Sequence, residues 1–289
     1  MPTITRIANE FLSAAVSSLG AEMQSVATKD GADWLWNGDA AFWTGRSPVL
    51  FPIVGKAPGD TLLIDGKPYP MAQHGFARRR EFSLDSATQT ACRYLLEASD
   101  ETHAAYPFDF RLSVEHRLDG PSLAVAAEVE NRGTEPMPFG CGFHPAFLWP
   151  LPGAAGKPHA VTLDNAAEPK RQPLENGLLS PDRASSPFEN GRLDLTPDLF
   201  LDDALVFPEG AGDGLVYAAE DGPGLRFHFE NLPNLALWTK PGAPFLCVEP
   251  WHGTAALHGG SQELRDRPCT TILPPCTRER FAFTVTFPS

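Results

Sequence analysis

Apolar and polar residues alternate along much of this chain with a period of two. Phe110, Leu112, Val114, His116 and Leu118 share one parity, and Arg111, Ser113, Glu115 and Arg117 take the other. Leu123, Val125, Ala127 and Val129 stand against Ser122, Glu128 and Glu130, and Phe281, Phe283, Val285 and Phe287 against Thr284 and Thr286. Successive side chains of a strand point to opposite faces, so each run predicts a strand with one face buried. The run Leu62–Tyr69 carries Asp65-Gly66 at its centre, which predicts a two-residue hairpin. Helical periodicity is nearly absent. Short helical turns are expected at Asp39–Trp43, Asp100–Ala105 and Pro197–Phe200, each opening on a capping residue or a proline. Residues 153–187 are polar and proline-rich, which suggests excursions and edge strands. Many short strands without a linker or composition break predict an all-β chain, a large antiparallel β-sandwich forming a single domain over 1–289.

Composition narrows the range of partners. The 289 residues include 23 Lys+Arg against 36 Asp+Glu, a net charge of −13, which argues against duplex nucleic acid and anionic membrane surfaces. No window of about 18 apolar residues and no signal-peptide core is visible, so a cytoplasmic protein is expected. The cysteines (Cys92, Cys141, Cys247, Cys269 and Cys276) contain no CxxC pair and read as packing residues, not as a disulfide or zinc framework. Cys141 and His144 are three apart, which on a strand sends their side chains to opposite faces.

Candidate chemistry gathers in a few segments. The apolar run Phe245-Leu246-Cys247-Val248 leads into Glu249-Pro250-Trp251-His252-Gly253. It reads as a buried strand that ends at the proline and delivers a carboxylate to its mouth, beside an indole suited to the C–H face of a sugar. Gln73-His74-Gly75-Phe76-Ala77-Arg78 and Gly142-Phe143-His144-Pro145-Ala146-Phe147 each set a histidine among glycines and aromatics. Arg46 precedes a proline-broken apolar stretch, Ser47–Lys56, and offers the fixed donors of a guanidinium to hydroxyls or a carboxylate. Arg78-Arg79-Arg80 could grip a phosphate or simply form a solvated face. Asp202 and Asp203 interrupt another apolar run, where one could face inward or both could form a turn. His74, His144, His252 and Glu249 lack the short spacings of a chelating set, so no metal is expected.

Taken in order, the segments Arg46–Gly55, Gln73–Arg78, Gly142–Phe147 and Glu249–Gly253 make the chain resemble the aldose 1-epimerase (galactose mutarotase) family, in particular its bacterial aldose-epimerase-like branch. The resemblance implies a large antiparallel β-sandwich that interconverts the α and β anomers of a free aldose without a cofactor. By position, Glu249 matches the base, His144 the acid and His74 the second histidine. Arg46 and Asp203 match ligands of sugar hydroxyls, with Asp202 the substitute, and Trp238 or Phe147 would pack on the ring. Glu249 would be ionised and His144 protonated, facing each other across a pyranose-sized gap. The chain departs from galactose-specific members in having Pro145-Ala146-Phe147-Leu148 after the acid and in lacking an Asn-Arg pair after Arg46, so galactose is not implied as the substrate. Alternatives from the same residues are a hexose-6-phosphate 1-epimerase, a non-catalytic sugar-binding protein and, more remotely, a metal-dependent isomerase.

Overall fold

In the computed structural model, which describes residues Pro2–Pro288, the alternating runs form the centre of a nine-stranded antiparallel sheet. Its order is Arg192–Asp194, His159–Leu163, Gly214–Ala219, Gly224–Glu230, Arg278–Thr286, Ser122–Asn131, Phe110–Asp119, Ala91–Glu97 and Ser83–Ala87. The residues assigned to the apolar parity are buried: Phe110, Leu112, Val114, His116 and Leu118 on one strand, Phe281, Phe283 and Val285 on another. The section 153–187 supplies His159–Leu163, one strand in from the sheet edge, and a short hairpin, Leu174–Glu175 with Leu178–Leu179.

A second sheet contains Leu205–Phe207, Asn234–Trp238, Phe245–His252, Cys141–Phe143 and Val49–Leu50, with Ala146–Leu148 also paired to Phe245–His252. Its strands divide their side chains cleanly. Leu205, Phe207, Leu235, Leu237, Leu246, Val248, Phe143 and Phe147 enter the large apolar core shared with the nine-stranded sheet. Residues of the other parity, including Trp238, Phe245, Cys247, Glu249 and Trp251, point to the opposite face. A core on one side of this sheet therefore leaves its other side free to carry a site under the connecting loops.

The Asp65-Gly66 hairpin forms as expected, joining Thr61–Ile64 to Lys67–Pro70 with both turn residues at positive φ (51° and 73°). The helical turns form as well. Asp39 O accepts from the Phe42 and Trp43 amides, Asp100–His103 starts on a Ser99 capping box, and Pro197–Phe200 is a 3₁₀ turn. Among the described residues no helix is long and apolar enough to cross a membrane.

Candidate active site

Phe245–His252 runs straight through the proline that the sequence suggested would end it, and Glu249 sits mid-strand on the outer face of the sheet. Pro250 is tolerated because the ladder beside it is already interrupted. Neighbouring strands Cys141–Phe143 and Ala146–Leu148 are separated by His144-Pro145, which makes no strand pairing there. Gly142 stands opposite Trp251 and Ala146 opposite Cys247, so the same register brings His144 level with Glu249. The two residues are cross-strand neighbours, and His144 Nε2 lies 3.2 Å from Glu249 Oε2. They touch, and the expected pyranose-sized gap between them does not exist.

Both open onto a cavity of about 310 Å³ lined by Trp43, Gln73, His74, Arg78, Asp203, Trp238 and Trp251, together with Leu174, Gly177 and Leu179 from the short hairpin. That size is at the lower end of small-ligand pockets, roughly 300–1,000 Å³, and suits a monosaccharide better than a longer chain. His144 and Glu249 are 7% and 1% exposed. His144 Nδ1, Arg78 Nε and Trp251 Nε1 are all buried without a hydrogen-bond partner among the described residues, and all belong to side chains lining this cavity. Unpaired buried polar atoms are costly unless a ligand satisfies them, so their concentration here makes the cavity the candidate binding site.

His74 enters from a loop and adopts positive φ (63°), uncommon for a side chain of this size. Two backbone contacts hold it there: its amide donates to Gly55 O (2.8 Å) and its Nδ1 accepts from the Gly55 amide (3.1 Å). A backbone N–H can only donate, so the His74 proton is on Nε2, the nitrogen that stands 3.4 Å from the side-chain amide of Gln73. Gly75 permits this loop to close, since a Cβ at that position would meet Phe51 O at 2.1 Å.

Burial dominates the electrostatics. It pushes the Glu249 carboxyl well above its ordinary range, reinforced by the charge of Asp203. It lowers His144 to about 3, with Arg78 adding to the effect, and holds His74 well below 6.5, helped by His144 and Arg78. In the free protein the favoured arrangement is thus a neutral pair, a protonated carboxyl on Glu249 beside a neutral imidazole on His144. This reverses the ionised carboxylate and protonated imidazole expected from the motifs, because the depth of burial penalises both charges. Cys247 Sγ lies within 4.8 Å of ligand atoms of His144 and Glu249, the nearest approach to a metal-ligating set among the described residues. Burial pushes that thiol well above its usual range, so it stays protonated and makes a poor ligand.

Other expected residues fall on both sides of the cavity wall. Trp238 and Asp203 line it. Asp203 sits in a turn at φ 88° with its carboxylate accepting from the Ala204 amide (2.8 Å), while Asp202 lies at a separate surface depression. Phe147 does not reach the cavity: it is fully buried in the shared core against Phe227, because its parity is opposite to that of His144. Arg46 is absent from the wall too. Its guanidinium donates to Gln24 O (2.7 Å) and its amide to Glu22 Oε1 (2.8 Å), tying its loop to the strand Met23–Thr28. The cavity's guanidinium comes instead from Arg78, in a 3₁₀ turn over Ala77–Arg79. His252 turns away, its Nδ1 at Asn231 O and its ring against Phe281. Trp43 lines the cavity from the end of the short Asp39–Trp43 turn, where no periodicity orients the side chain in advance.

Comparison with known proteins agrees with this architecture. The aldose 1-epimerase family description matches residues 2–263. The chain is 31% identical over 291 residues to the chromosomal LacX protein of Lactococcus lactis subsp. lactis, covering 96% of this chain and 97% of that one. Among solved structures, it is similar to a galactose mutarotase related enzyme from Lactobacillus acidophilus, with a TM-score of 0.94, 28% identity and coverage of 99% and 98%. A galactose mutarotase-like protein from Lactobacillus casei aligns with a TM-score of 0.91, 28% identity and coverage of 99% and 100%. The chain belongs to the aldose 1-epimerase family.

Proposed function

We propose that this protein is a mutarotase that interconverts the α and β anomers of a free aldose by proton transfer through Glu249 and His144, without a cofactor. The observation that carries this reading is the contact between a buried carboxyl and a buried imidazole in a sugar-sized cavity, 3.2 Å apart. Anomer exchange removes a proton from the C1 hydroxyl and delivers one to the ring oxygen. Both oxygens are bonded to C1, so the acid and the base must be near neighbours, and a wide gap would serve the reaction poorly.

The carboxyl proton of the pair suffices. A bound sugar would accept a hydrogen bond at its ring oxygen from His144, drawing the proton from Glu249 to the imidazole. Ionised Glu249 then takes the C1 hydroxyl proton while His144 protonates the ring oxygen, and the C1–O bond to the ring breaks to give the open aldehyde. Rotation about C1–C2 presents the other carbonyl face, and reclosure returns both protons. Each positioned proton-transfer group is typically worth about 10²–10⁴-fold in rate. His74, with its proton fixed on Nε2, is suited to donate to O1 or the ring oxygen. Asp203 and Arg78 would hold hydroxyls, and Trp238 would pack on the ring.

Saturation-transfer NMR or polarimetry on a panel of aldoses tests this reading. Anomer exchange well above buffer, lost by orders of magnitude in Glu249→Gln, supports it. Saturable binding with no exchange would identify a non-catalytic sugar-binding protein instead. A second reading, a hexose-6-phosphate 1-epimerase, is favoured by the Arg78 guanidinium on the wall, whose Nε lacks a partner. Competition by a sugar phosphate but not by its parent sugar would select it.

A further inference from the structure

The imidazole of His144 lacks the usual polar anchor on its second nitrogen. Its Nε2 approaches Glu249, but its Nδ1 is buried with no hydrogen-bond partner among the described residues. No carbonyl or carboxylate of another residue therefore holds Nδ1, the common device for a histidine that moves protons. What lies against the ring is Trp43, with centroids 4.8 Å apart and planes 30° from parallel. Trp238 meets both rings edge-on, 5.7 Å from His144 at 87° and 5.5 Å from Trp43 at 82°.

The backbone that carries the Trp43 indole is itself anchored. Its amide donates to Asp39 O (3.0 Å), its carbonyl accepts from Trp36 Nε1 (2.8 Å), and the carbonyl of Phe42 accepts from Lys240 Nζ (2.8 Å). Gly45 leaves room for it, since a Cβ at that position would stand 2.4 Å from Trp43 Cζ2. Gly45 does not line the cavity, and its backbone is outside the positive-φ region, so the lack of a side chain matters here for space and not for conformation.

We propose that Trp43 is the positioning residue for His144: the indole stack replaces the missing polar anchor and keeps Nε2 aimed at Glu249 and the sugar. An indole face also attracts a cation, so the stack favours the imidazolium at the moment His144 takes the shared proton. This inference rests on the mutarotase reading.

The test compares Trp43→Leu, Trp43→Phe and Gly45→Ala with wild type. Steady-state anomerisation is measured alongside NMR of the His144 ring, whose resonances the indole face shifts upfield. The expected result is a loss of about ten- to a hundredfold in kcat for Trp43→Leu and Gly45→Ala, with little change in KM, because a small misplacement of a reacting group has effects of that order. The His144 resonances should move downfield in the same two variants, and Trp43→Phe should recover most of both signals. Unchanged kcat despite a moved resonance would overturn the proposal, as would a raised KM at intact kcat, which would make Trp43 a sugar platform instead. Should Trp43→Leu fail to fold, Gly45→Ala decides alone. Wild-type exchange at the buffer rate sinks the mutarotase reading and this inference together. An active wild type with unaffected variants sinks only the role of Trp43.

Discussion

Replacing Glu249 by Gln should stabilise the fold, and by more as the pH rises. Glu249 is 1% exposed, and burial followed by the charge of Asp203 raises its pKa well above 4.5. A carboxyl raised on folding contributes fully below the unfolded pKa. Above it, the unfolded chain releases the proton while the folded one keeps it, and stability is lost at roughly 1–2 kcal/mol per pH unit until the folded pKa is passed. Gln has nearly the same shape and no proton to lose, so the slope disappears. From pH 5 upward, wild type should fall behind Glu249→Gln by about 1.4 kcal/mol for each pH unit until the folded pKa is passed. His144 is lowered to about 3 and stays neutral in the folded protein across this range, so it largely cancels in the comparison. Urea denaturation at pH 5, 6 and 7, followed by the emission of the six tryptophans, measures the difference directly. A difference that stays flat with pH, or shrinks as pH rises, would mean that the folded protein holds this carboxylate ionised, and the neutral pair would be refuted.

Two further substitutions address the walls of the cavity. Gly75→Ala places a Cβ 2.1 Å from Phe51 O at a φ of 72°, so it should cost about 1–3 kcal/mol or more in denaturation and lower activity by displacing His74. A variant as stable as wild type would show that the loop yields freely. Asp203→Asn should reduce kcat/KM for the preferred sugar about tenfold or more, the scale of a hydrogen bond to a charged group, whereas Asp202→Asn should leave it unchanged. Equal effects of the two would remove Asp203 as a sugar ligand.

Much of the fold is legible in period-two runs such as Phe110–Leu118, because a half-buried strand exposes its register in every second residue. Glu249, His144, His74, Asp203 and Trp238 were legible as cavity residues from their motifs, and the structure brings them together. The register that sets His144 level with Glu249 was not, since cross-strand pairing is a long-range property that neither segment encodes alone. Phe147 faces the core for a reason the spacing already holds: the three residues that separate Cys141 from His144 also separate His144 from Phe147, which sends its side chain to the opposite face. Arg46 and Arg78 lie in irregular segments, where no periodicity dictates which guanidinium turns inward. The neutral state of the Glu249–His144 pair follows from burial depth, which a sequence does not display.

The central claim, that Glu249 and His144 act as one proton-transfer couple, is tested most directly by a double-mutant cycle on anomer exchange. Glu249→Gln, His144→Asn and the double variant should each fall by a similar, large factor, because removing either member disables the same step. Losses that multiply in the double variant, or a single variant that turns over at the wild-type rate, would show that the two residues do not form such a couple.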